Sequence, residues 1–181
     1  MSIISFGEFE EGKKYKVFDE RAMRASAGIM LALAMIAFSN GFLLQKFFVI
    51  PYITGFLMLN FLIGIFINPK FSPTVFIGTL IVQKQSPLPI GAIQKKFAWS
   101  LGLTLSAVIF VLSILLQNDI FYFDAVCILC IVCIALLFLE TAFGICVGCQ
   151  LYFVALRLKW MPQPKEDEKP NCMGDACEIE K

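Results

Sequence analysis

The chain has 181 residues, 59% of them hydrophobic and only 16% charged, which is more apolar surface than a soluble domain of this length can bury, so lipid must cover the remainder. Fifteen basic residues against fourteen acidic ones give a net charge of +1 and no case for a nucleic-acid or strongly acidic partner. Histidine is absent, which excludes His-based acid/base chemistry, axial His ligation of haem and His-containing metal sites, and leaves cysteine and carboxylate to carry any reaction.

Residues 1–24 hold ten charges ahead of any long apolar run, unlike the short basic start of a cleaved signal peptide, and are expected to form an N-terminal segment before a retained helix. Residues 25–44 are uncharged over about one bilayer thickness at ~1.5 Å per helical residue and predict the first span. A turn at Ser39, Asn40 and Gly41 and a lone Lys46 lead to a second span over 47–67, with Pro51 near its start, where a helix tolerates proline. Asn68-Pro69-Lys70-Phe71-Ser72-Pro73 predicts a rigid turn, because each proline lacks an amide donor and restricts the residue before it. Residues 74–82 are apolar but too short to cross and predict an interfacial or re-entrant half-helix.

Residues 97–116 and 120–142 predict the third and fourth spans, joined by the tight turn Gln117-Asn118-Asp119. The apolar run goes on to 156, and one straight helix from 120 to 156 would overshoot the hydrocarbon core, so a bend near Gly144 and Gly148 is expected, with an interfacial helix over 143–156. Arg157, Lys159 and Trp160 mark a return to the interface, and 157–181 forms a polar tail. The fold class predicted is all-α: an integral membrane four-helix bundle over 25–156 with short interfacial or re-entrant helices on the cytoplasmic side. Lys13, Lys14, Lys16, Arg21 and Arg24 precede the first span and Lys70, Lys84, Lys95 and Lys96 lie between the second and third, while the other two loops hold only Lys46. The positive-inside rule then places both termini in the cytoplasm.

All seven cysteines follow residue 126, in three clusters. The sharpest is Gly144-Ile145-Cys146-Val147-Gly148-Cys149, a C-x-x-C flanked by glycines where the last span meets the interface; thiolates form there more easily than in lipid, which suits thiol exchange or sulfur carriage as well as close helix packing. Cys127, Cys130 and Cys133 recur every three residues and could relay sulfur, although packing is the favoured reading. Cys172 and Cys177 in the tail would complete four thiolates with Cys146 and Cys149, a set that suits zinc or an iron-sulfur centre; nothing in the sequence requires a cofactor. Glu140, near the inner end of the fourth span, is a candidate proton or charge partner, with Arg21, Arg24 or Lys70 as the cations within reach. Asn60 is given a structural role in bonding between helices.

Asp19-Glu20-Arg21, the Asn68-to-Pro73 turn and the run Phe-Leu-Glu-Thr-Ala-Phe-Gly-Ile-Cys-Val-Gly-Cys-Gln-Leu-Tyr at 138–152 resemble the bacterial membrane family catalogued as domain of unknown function 4395. The last run matches that family's ending of an acidic residue, F-G-x-C-x-G-C and an aromatic, and the resemblance covers about residues 17–153, leaving Cys127, Cys130, Cys133, Cys172 and Cys177 outside the pattern. Family members often occur linked to rhodanese-like or thioredoxin-like proteins, which implies partners of that kind and a tie to sulfur or thiol chemistry. The expected protein is a multi-pass inner-membrane thiol protein. A transporter or channel for a small sulfur species and a non-catalytic assembly subunit are the alternatives. The bilayer is its medium, nucleic acid is no partner, and a homo-oligomer is compatible with its small-residue faces.

Overall fold

A computed structural model of the protein describes residues 8–9, 16–85 and 89–158. Four helical segments are long and apolar enough to cross a membrane. They are α1 (Glu20–Phe42), α2 (Val49–Phe66), α4 (Ala92–Leu116) and a fourth made of a 3-10 turn (Ile120–Tyr122), α5 (Phe123–Phe138) and a π-helical turn (Leu139–Phe143). Two shorter helices, α3 (Pro73–Val82) and α6 (Val147–Arg157), complete the all-α architecture. Exposed Ile, Leu, Phe and Val side chains cover the outside of the spans, the pattern of helices that face lipid.

The helix starts follow from local chemistry. Asp19 caps α1, its Oδ1 accepting from the Arg21 amide at 3.1 Å, and Asp119 opens the fourth span by accepting from the Phe121 amide at 2.9 Å. α1 does not turn at Ser39, Asn40 and Gly41 as the polar residues suggest. It runs to Phe42, because the Asn40 amide donates back to the Ile36 carbonyl at 2.8 Å, and the reversal falls later, at Gln45, whose φ is +51°. α4 begins at Ala92, more than a turn before the uncharged run, and so draws Lys95 and Lys96 into the helix.

The ends of the chain's spans divide into two sets. The start of α1, the end of α2, the start of α4 and the end of the fourth span share one end of the bundle, with α3, α6 and most of the cations; this is called the basic end below. A three-stranded antiparallel sheet, β1 (Glu8–Phe9), β2 (Lys16–Asp19) and β3 (Pro89–Gly91) in the order β1-β2-β3, ties the chain before α1 to the chain before α4 there. The sequence gives no period-2 signal for strands this short.

Asn60 organises this end. Its Oδ1 accepts from the Ser72 hydroxyl at 2.6 Å, the Thr74 hydroxyl at 3.0 Å and the Thr74 amide at 3.1 Å, and Ser26 of α1 lies 2.7 Å from the Thr74 oxygen. The amide thus secures the turn and the first residues of α3 against α1 and α2, satisfying donors that no water could reach. Asn68 caps the 3-10 turn Pro69–Phe71 by accepting from the Lys70 amide at 3.0 Å.

Candidate functional site

The fourth span ends in a wide π-helical turn at Leu139–Phe143, and Gly144 then leaves the helix with φ +69°. A side chain at 144 would be strained there, and its Cβ would also lie 2.8 Å from the Arg24 guanidinium carbon, so the bend and the close approach of Arg24 both need glycine. Cys146 follows in an extended conformation (φ −85°, ψ 98°) and occupies the cap position of α6, whose N-terminal amides face it. Gly148 lets α6 lie directly on α4, since a Cβ at 148 would come within 2.6 Å of the Ala98 Cβ, and Tyr152 one turn later packs on Phe97 with ring centres 5.6 Å apart.

This geometry brings the two thiols together: the Cys149 Sγ donates to the Cys146 Sγ over 2.7 Å. Both are free thiols. The hydrogen bond from Cys149 holds the Cys146 thiol below the usual cysteine range despite its burial, with the Lys95 ammonium adding to the effect. Cys149, which keeps the shared proton, is pushed up by that same bond and by burial. Cys146 is therefore the more acidic thiol of the pair.

Behind the thiols, Lys95 is 2% exposed and forms an ion pair with Glu140, whose side chain is 20% exposed. The sequence points to Glu140 but not to this partner. Arg24 instead lies 3.9 Å from Glu20 and against Gly144. Lys95 reads as a topology-setting basic residue outside the third span, whereas the helix begins more than a turn earlier. The signal was present: Ala92, Lys95 and Trp99 fall at i, i+3 and i+7, and all three are buried.

A cavity of about 310 Å³ lies beside this group. Its wall includes Phe61, Trp99, Leu137 and Cys133, and Glu140 and Cys146 come to it from the basic end, Glu140 being the one charged side chain lining it among the described residues. Trp99 stands edge-on to Phe61, ring centres 5.4 Å apart. Cys133 thus shares a cavity with Cys146. Cys130 is instead packed with Ile50, Ile109 and Val126 toward the opposite end, and Cys127 sits one turn beyond it. Among the described residues no group of three or more Cys, Asp or Glu is disposed to hold a metal. Cys146 and Cys149 would supply two thiolates to a zinc or iron-sulfur centre; the other two candidates, Cys172 and Cys177, lie outside the described residues.

A family model described as Domain of unknown function (DUF4395) matches residues 18–157. No curated protein and no solved structure matches the chain.

Proposed function

The chain belongs to that family, and from this premise we propose that it is a multi-pass inner-membrane protein that handles sulfane sulfur or disulfide equivalents through Cys146 and Cys149. The observation that carries the reading is the hydrogen-bonded thiol pair at the start of α6, with Cys146 biased to thiolate beside a buried cation. Cys146 attacks the outer sulfur of a donor; the donor's S–S bond breaks, its thiolate or sulfite leaves, and Cys146 carries a persulfide. Cys149 then attacks the Cys146 Sγ, a disulfide closes and the carried sulfur departs as hydrogen sulfide, which conserves sulfur and electrons. Attack on a protein disulfide by the same steps releases a dithiol partner instead.

The positive-inside rule supports placing the basic end, and with it the thiols and both chain ends, in the cytoplasm, where rhodanese-like or thioredoxin-like proteins would meet them. The tail thiols Cys172 and Cys177 are the intramolecular candidates for passing sulfur on. The test is to isolate membranes anaerobically, alkylate, and read each cysteine by peptide mass spectrometry before and after thiosulfate or polysulfide. A donor-dependent persulfide or disulfide at Cys146 or Cys149 is the expected result; seven unmodified thiols would remove the warrant for sulfur handling.

A further inference from the structure

The cavity differs from a solvent cleft in the way it is reached. Leu101 of α4 and Val132 of α5, which line it, are 40% and 43% exposed within spans that face lipid, and Leu136 and Leu151 are open beside them. Its mouth therefore opens sideways between α4, α5 and α6 into the hydrocarbon layer. A volume of about 310 Å³ sits at the low end of the ~300–1,000 Å³ of small-molecule sites, enough for a ring system and too small for a folded peptide.

The walls specify the occupant further. Trp99 and Phe61 offer aromatic surface, the aliphatic residues accept no charge, and the polar residues that line the space include Ser106, Glu140 and Cys146. A saturated acyl chain would satisfy the apolar wall but gives the thiol pair nothing to react with. An uncharged aromatic-like ring that dissolves in lipid and accepts two electrons and two protons satisfies both.

We propose that this cavity admits a membrane-dissolved quinone from the side and presents it to the Cys146–Cys149 pair, which reduces it. The inference rests on the thiol reading above and names the class of acceptor for the same site. Both S–H bonds break, one S–S bond forms between Cys146 and Cys149, and the two electrons and two protons convert the quinone carbonyls to the hydroxyls of a quinol. The Lys95–Glu140 ion pair stands beside the cavity, with Glu140 among its lining residues.

The experiment uses the full chain, reduced, in lipid nanodiscs under anaerobic conditions, with a short-chain benzoquinone or naphthoquinone. Quinone absorbance and the thiol count are followed together. One quinone consumed per Cys146–Cys149 disulfide is expected, slowed by about tenfold when Leu101→Trp and Val132→Trp narrow the mouth. These sites face lipid, and an unchanged melting temperature verifies the fold of the variants. Independently, in a Trp160→Phe background that leaves Trp99 as the sole tryptophan, saturable quenching of its fluorescence by the quinone reports occupancy. Thiols that react with polysulfide or a soluble disulfide but stay reduced with quinone would overturn the proposal and leave the thiol reading intact. Equal quinone rates in wild type and both mouth variants would overturn it too, and inertness to every oxidant would overturn both readings.

Discussion

The molecule carries the C-x-x-C spacing in two places, twice overlapping at Cys127, Cys130 and Cys133 and once at Cys146 and Cys149, and the two copies are built differently. Cys127, Cys130 and Cys133 lie in the uninterrupted helix α5, where residues three apart share a face but their side chains project from fixed, regular positions ~5–6 Å apart at Cβ. Cys130 packs with Ile50, Ile109 and Val126, Cys133 adjoins the same apolar cluster, and α5 carries no basic side chain. Cys146 and Cys149 straddle the start of a helix, where the extended backbone of Cys146 sets its sulfur against that of Cys149, with Lys95 behind. On the proposed reading, a C-x-x-C becomes reactive through what the backbone does between the cysteines and which charge stands nearby.

The sharpest way to break that contrast is to remove the cation. Lys95→Met leaves Glu140 charged and without its ion-pair partner among the described residues, a change that costs about 3–5 kcal/mol in buried pairs. A markedly lower melting temperature in detergent is expected. The double variant Lys95→Met/Glu140→Gln should recover most of the loss because no unpaired charge remains, while Cys146 stays less reactive than in the wild type. Recovery of stability without recovery of reactivity separates the scaffold role of the pair from its electrostatic role.

How much of this the sequence discloses follows from scale. The spans are legible because uncharged runs of bilayer length have few other uses, and the break at Gly144 is legible because the apolar run is too long for one crossing. Lys95 is hidden because a lysine at the edge of an apolar run is ordinarily an interfacial anchor, and only the buried spacing of Ala92, Lys95 and Trp99 marks it as internal. Asn60 is legible as a helix-bonding amide, but its partners Ser72 and Thr74 lie in a turn and at a helix start, where side-chain periodicity carries no information. The opposite shifts of Cys146 and Cys149 come first from the hydrogen bond between them and then from burial and Lys95, none of which is written in the C-x-x-C spacing.

A milder perturbation sharpens the same comparison. Cys146 is depressed by the bond from Cys149, so its thiolate, and with it alkylation by iodoacetamide, should persist below the pH at which an ordinary thiol, with a pKa of about 8.5, becomes inert. Cys149→Ala removes the donor, the Cys146 pKa rises, and alkylation at pH 7 should slow several-fold, its profile moving to higher pH. A profile that stays in place would show that Lys95 and the helix start suffice without the second thiol. The measurement is the rate of Cys146 modification against pH, read by mass spectrometry.

The smallest effect belongs to the other copy. Cys130→Ala removes one buried sulfur from the cluster around Ile50, Ile109 and Val126 and should cost about 1 kcal/mol, the ordinary penalty of a core truncation. It should leave the donor response of Cys146 and Cys149 unchanged, because Cys130 packs toward the opposite end of the bundle and makes no bond to either thiol. Loss of that response in Cys130→Ala, with the melting temperature nearly intact, would mean that sulfur passes along α5 and that Cys133, on the cavity wall, is its last station before Cys146.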